Sequence, residues 1–204
     1  MPMQELIEEV EAVRFQIGEQ VKKRIEEFKE TGCNEKRIKS ELCFCLLTAN
    51  YDAEKAIRIQ KKVNNDFFVL SLKSLAKRLK DLGYRYPNKR SEYIVACRKC
   101  SVIEQLALPE KELREWLVKN IKGLGFKESS HFMRNIGFED VAIIDFHILD
   151  LLERYGIIKR PKTLTGIKYL EIESVLGELA QRCSITLAEL DLYLWYLETG
   201  KILK

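Results

Sequence analysis

No stretch of this 204-residue sequence approaches the roughly 18 consecutive apolar residues that a membrane-spanning helix requires, so no such helix is expected. The N-terminus is charged and amphipathic rather than signal-like, and a soluble, cytoplasmic protein is expected. Histidine is scarce: there are two, His131 and His147, and neither has the partners of a metal site. The six cysteines, at positions 33, 43, 45, 97, 100 and 183, are irregularly spaced in a chain too large to need staples, so reduced thiols are expected. Cys97 and Cys100 have zinc-like spacing, but Cys43 and Cys45, one residue apart, make a poor second pair, and no metal is expected. Strand-like alternation, internal repeats and low-complexity linkers are all missing. The formal charge of +4 is too small to demand nucleic acid as a partner or to exclude it.

What is present is helical periodicity over an ample apolar fraction of 46%. From Leu6 the apolar positions Val10, Val13, Ile17, Val21, Ile25 and Phe28 recur at steps of three and four, predicting one long amphipathic helix that ends near Gly32. Asn34, Asp52, Ser71, Asp145, Thr165 and Thr186 each precede a helical pattern with a side chain suited to N-capping. Gly83 and Gly156 stand where helices should stop. The pattern from Tyr93 through Ile103 to Leu106 reads as one helix, and Pro109 fits the first turn of the next. The fold class is all-α with short loops.

Charge is distributed unevenly. Between Lys73 and Lys99 there are nine Lys or Arg against two acids, whereas the first thirty residues lean acidic. Inside the basic stretch lies Tyr84-Arg85-Tyr86-Pro87-Asn88-Lys89-Arg90, two aromatics among three cations. It reads either as a solvated turn beside a helix start or as a nucleic-acid contact, with cations for phosphate and an aromatic for a base face.

The stretch from Lys111 to His147 carries the most chemistry. Two helical patterns flank Lys122-Gly123-Leu124-Gly125, and Lys127 opens the second helix. Glycines permit a close backbone approach, and the N–H groups and positive dipole end of the following helix favour an anion such as a phosphate. The dipole also disfavours an ammonium at Lys127, which makes the neutral, nucleophilic amine accessible. Asp145 follows Lys127 by 18 positions, after the apolar anchor Ile143-Ile144. Singly, the lysine reads equally as a surface residue and the aspartate as an ordinary cap. His131 lies four residues after Lys127, on the same helix face, where it could orient Lys127, donate to phosphate or simply be half-buried; His147 follows Asp145 by two.

Taken together, the segment GLGFKESSHFMRNIGFEDVAIIDFHIL resembles the endonuclease III superfamily of helix-hairpin-helix DNA glycosylases. Within that superfamily the chain is similar to the compact archaeal and bacterial 8-oxoguanine DNA glycosylase/AP lyases of the second type. The stretches ELCFCLLTANYDAEKAIRIQ, RYPNKRSEYIV and DLYLWYLETGKILK extend the resemblance over nearly the whole chain. The resemblance implies two helical lobes with a DNA-binding cleft, one at 34–135 carrying the hairpin and the other from 1–33 with 136–204, and Lys127 facing Asp145 across it. It implies that Lys127 is the nucleophile that forms a Schiff base and that Asp145 stabilises the cationic sugar. Gly123 and Gly125 would grip the phosphate backbone, Tyr86 and Trp195 would wall the base pocket, Lys204 would help recognise the oxidised guanine, and Asn50 would lie near the orphaned base. Phe146 departs from the pattern, because relatives often carry a basic residue there. Only Cys183 follows Asp145, so the four-cysteine iron–sulfur cluster of many relatives cannot form.

The expected activity is therefore excision of 8-oxoguanine from duplex DNA followed by β-elimination at the abasic site, with no cofactor, by a monomer that is nucleoid-associated when bound to DNA. A glycosylase for another damaged base on the same scaffold, and a non-enzymatic helix-hairpin-helix DNA-binding protein, are the alternatives.

Overall fold

The computed structural model describes residues 2–204 as twelve helices, with no strand among the described residues. The first, α1 (Pro2–Gly32), buries every residue of its apolar stripe from Leu6 to Phe28. Asn34 caps α2 (Glu35–Thr48) by accepting from the Arg37 N–H at 3.0 Å. The run Leu42 to Leu47 is buried on all sides, as befits a helix at the centre of its unit. Asp52 caps α3 (Ala53–Val63) and Ser71 caps α5 (Leu72–Asp81), with a short α4 (Asp66–Val69) between them. Gly83 ends α5 at φ +76°, a left-handed conformation that favours glycine.

The single helix expected up to Leu106 is instead two: α6 (Pro87–Cys97) and a short α7 (Val102–Gln105). The break has a tertiary cause. Arg98 donates from Nε to the Phe67 carbonyl and from Nη1 to the Leu70 carbonyl, both at 2.8 Å, and the chain there closes into turns through Lys99 N–H to Ala96 O and Cys100 N–H to Cys97 O. Hydrophobic spacing carries no trace of such bonds. Pro109 occupies the position just before α8 (Glu110–Asn120) rather than its first turn. Helices α9 (Phe126–Asn135), α10 (Phe146–Arg154), α11 (Gly166–Arg182) and α12 (Leu187–Thr199) complete the chain. The last three start at Asp145, Thr165 and Thr186, each side chain accepting a first-turn N–H; at Thr186 the Glu189 carboxylate returns the bond to complete a capping box.

The helices form two compact units. One takes the chain up to Glu30 and from Met133 to Lys204; the other is Thr31–Phe132. In the first, Arg134 is buried but fully engaged: it pairs with Asp191, donates to Asn135 Oδ1 at 2.9 Å from Nη2, and lies 4.9 Å from the centre of the Phe28 ring. The second is built on Phe44, Phe67, Leu75, Leu79, Ile94 and Phe132. No helix among the described residues is long and apolar enough to cross a membrane, and no group of three or more His, Cys, Asp or Glu among them could hold a metal ion.

Candidate nucleic-acid interface

The hairpin lies between α8 and α9. Buried Ile121 and Leu124 anchor it, the Leu124 N–H donating to the Ile121 carbonyl at 3.1 Å, while Lys122 is exposed. Gly123 is needed for two reasons. Its φ of +99° suits no L side chain, and a Cβ added there would fall 2.4 Å from Cδ2 of Tyr93. Gly125 is different: its φ is not positive, and a Cβ would meet only the Glu128 carboxylate, at 3.3 Å.

The Gly125 N–H was expected to be open to an anion, but Glu128 Oε2 accepts from it at 3.3 Å. Glu128 is the third residue of α9, and its return to the residue before the helix is one half of a capping box, with the negative charge placed at the positive end of the dipole. The same carboxylate reaches Lys127, whose Nζ is 3.9 Å from Oε1 and whose side chain is 28% exposed. Buried Arg114 ties α8 to α9, with Nη1 donating to Ser130 Oγ at 3.3 Å and the guanidinium 5.5 Å from the Phe126 ring. His131 is 7% exposed and packs edge-on against Phe44 at 5.6 Å, inside the unit rather than on its surface.

The loop of two aromatics and three cations divides. Arg85 and Lys89 are exposed and Tyr86 is half-buried at the start of α6, with the Arg85 guanidinium 5.0 Å from its ring. Tyr84 and Arg90 turn inward, at 3% and 9% exposure. The Tyr84 hydroxyl donates to the Leu47 carbonyl at 2.7 Å, and burial pushes its pKa up to about 12 against the opposing pull of the Arg90 guanidinium. Arg90 donates from Nε to Tyr84 Oη at 3.3 Å and from Nη2 to the Ala49 carbonyl at 2.6 Å. The turn held in this way ends in exposed Asn50, at φ +57°. Tyr84 and Arg90 thus face inward, while Arg85, Tyr86 and Lys89 remain at the surface.

In the other unit, Asp145 caps α10 through Oδ1, which accepts from the Ile148 N–H at 3.1 Å. Two residues on, the His147 ring stands 3.9 Å from the Phe146 ring and perpendicular to the Trp195 indole at 5.3 Å, so the start of α10 and the middle of α12 meet there. The Trp195 Nε1 N–H is buried with no hydrogen-bond partner among the described residues. Phe146 is exposed, so no cation stands at that position. Gly200 ends α12 at φ +68°, and Lys204 is half-buried after it. Of the site residues read from the sequence, Asn50, Tyr86, Gly123, Gly125, Lys127 and His131 lie in one unit, and Asp145 and Trp195, which His147 links, lie with Lys204 in the other. Sequence reasoning missed Glu128 and Tyr93. Glu128 was detectable from its Gly-x-x-Glu spacing; Tyr93, thirty residues before the hairpin it supports, was not.

Comparison with known proteins extends over the full length. The family model for 8-oxoguanine DNA glycosylase matches residues 21–185. The 8-oxoguanine DNA glycosylase/AP lyase of Korarchaeum cryptofilum is 50% identical and that of Methanocaldococcus jannaschii 49% identical, the alignments covering 100% and 98% of this chain and 100% and 99% of theirs. The crystal structure of the M. jannaschii glycosylase/lyase in complex with a 15mer DNA containing 8-oxoguanine superposes with a TM-score of 0.93 at 47% identity, over 98% of this chain and 99% of that one. The Thermotoga maritima 8-oxoguanine DNA glycosylase gives 0.94 at 43% identity, over 99% and 100%.

Proposed function

The chain belongs to the 8-oxoguanine DNA glycosylase family, and from that premise we propose how its residues divide the work. It is a bifunctional DNA glycosylase and AP lyase of base-excision repair that acts on DNA containing 8-oxoguanine. The Lys127 amine attacks C1′ of the damaged nucleoside; the N-glycosidic bond breaks and its electron pair leaves with the base. The attacking amine gives up a proton, the C1′–O4′ bond opens with O4′ becoming a hydroxyl, and C1′ and the amine become a Schiff base; loss of a proton from C2′ then expels the 3′ phosphate, and hydrolysis returns the free lysine.

Asp145 stabilises the positive charge that develops on the sugar. A carboxylate held through one oxygen by a helix N–H keeps its second oxygen as an acceptor, and the cap fixes its direction. The base must leave the stack to be reached. Tyr86 and Trp195 serve as aromatic walls for it, Lys204 as a recognition cation, and Asn50 meets the base left behind. The enzyme works as a monomer in the cytoplasm, on the nucleoid when bound to DNA.

The observation that carries this reading is the anionic oxygen already seated at the Gly125 N–H, beside Lys127. A hairpin that binds the Glu128 carboxylate there offers a phosphate the same position, with the nucleophile on the adjoining turn. Sodium borohydride added during reaction with an 8-oxoguanine duplex should trap a covalent protein–DNA complex. Lys127→Gln should abolish both trapping and strand cleavage while leaving most DNA binding. A folded wild-type protein that never cross-links, or a Lys127→Gln variant that still cleaves, would refute the assignment.

A further inference from the structure

Buried arginines usually answer an acid. Among the described residues Arg90 is buried without one: its partners are the neutral oxygens of Tyr84 and Ala49 and the faces of two rings, with its guanidinium 5.9 Å from the Tyr86 centroid and 5.6 Å from that of Tyr93. An apolar residue would fill such a site with less desolvation cost. What it would not supply is the rigid fork of donors that bonds in two directions while its plane lies over aromatic faces.

The directions matter. Leu47 and Ala49 lie at the C-terminal end of α2, where carbonyls lack intrahelical donors and the dipole favours a cation. The Tyr84 hydroxyl and Arg90 Nη2 take those two carbonyls, at 2.7 and 2.6 Å, and so fix the turn that displays Asn50. On its other side the guanidinium faces Tyr86, at the start of α6. Tyr93 in turn fills the space directly over Gly123 of the hairpin.

We infer that Arg90 is a positioning residue that holds the Asn50 turn, the Tyr86 loop and, through Tyr93, the Gly123 hairpin in one frame for a lesion-bearing duplex. This rests on the reading of those three segments as DNA contacts. Arg90 makes no DNA contact of its own; it sets the spacing of the groups that do.

Arg90→Lys keeps the charge but cannot bond both oxygens from one plane while lying over both rings. Two rates test it, each under single turnover at saturating protein: excision of 8-oxoguanine from a duplex, and cleavage at a pre-formed abasic site, which needs Lys127 but no base in the pocket. Excision should fall about 10- to 100-fold, the size of effect a misplaced substrate base produces, while abasic-site cleavage, which draws on the hairpin alone of the three segments, falls by less. Tyr84→Phe, which removes the hydroxyl's bond to the Leu47 carbonyl and the one it accepts from Arg90 Nε while leaving the guanidinium in place, should show the same selectivity at about five- to thirtyfold, the worth of one to two hydrogen bonds, and it decides the matter if Arg90→Lys does not fold. Parallel loss of both activities in proportion to the folded fraction by circular dichroism, or unchanged excision in both variants, would overturn the inference. Failure of the wild type to excise the lesion would instead overturn the reading beneath it.

Discussion

The two glycines of the hairpin should respond oppositely to the same mutation. At Gly123 an added methyl incurs two costs. A non-glycine residue at φ +99° is strained by about 1–3 kcal/mol. A Cβ 2.4 Å from a ring carbon of Tyr93 forces that half-buried ring or the turn to shift, an overpacking cost of about 1–3 kcal/mol. Together these give about 2–6 kcal/mol, or a melting temperature lower by on the order of 10 °C for a chain of this size. At Gly125 neither cost applies. The nearest atom to a new Cβ is the end of a flexible glutamate, at 3.3 Å, and the unfolded chain loses freedom, so Gly125→Ala should change stability by less than about 1 kcal/mol. Thermal unfolding of the two variants followed by circular dichroism makes the comparison, and a third protein separates the costs. In a Tyr93→Ala background, Gly123→Ala should recover the steric share and keep the backbone share, a coupling of about 1–3 kcal/mol between the two sites. Equal shifts for Gly123→Ala and Gly125→Ala, or zero coupling with Tyr93, would refute the account of how the hairpin is held.

Asp145→Asn should leave thermal stability within about 0.5 kcal/mol of wild type, because asparagine caps a helix as well as aspartate, while excision and borohydride trapping are lost; a matching loss of stability would mean that the cap, not the charge, was removed. The Tyr84 hydroxyl holds its proton up to about 12 in the folded protein against about 10 in the unfolded chain, so the folded state binds that proton more tightly. The resulting stability is fully present below pH 10 and is lost as pH rises towards 12, by up to about 2–3 kcal/mol. Urea unfolding across that window should show a steeper alkaline decline for wild type than for Tyr84→Phe, and identical declines would count against a buried, protonated Tyr84.

Most of the fold was legible because it follows from local rules. The stripe of α1, the six capping residues and the stops at Gly83 and Gly156 each depend on residues within one turn of the feature they control. Expectation failed where a distant group intervened. The helix expected through Leu106 breaks at Arg98 because that side chain serves the carbonyls of Phe67 and Leu70, some thirty residues earlier, and no spacing of apolar residues encodes such a bond.

The same division runs through the site. Lys127, Asp145 and the Gly-Leu-Gly turn were visible as types at spacings, since a lysine at a helix start, a cap and a tight turn each have a local signature. The environment that makes them usable was not. In the stretch Tyr84 to Arg90 every cation has equal weight in a count of charge, yet Lys89 is exposed and Arg90 is buried against the oxygens of Tyr84 and Ala49 and the rings of Tyr86 and Tyr93. Composition reports how much charge a loop carries, whereas the direction of each donor depends on what the rest of the chain leaves unsatisfied, here the open carbonyls at the end of α2. The hairpin follows the same logic at its amide, where Glu128 takes the Gly125 N–H that the letters left open. In the proposed role a phosphate would have to compete with a carboxylate rather than enter an empty site, so the affinity of this hairpin for DNA would be a difference between two anions, with Glu128 setting its lower term.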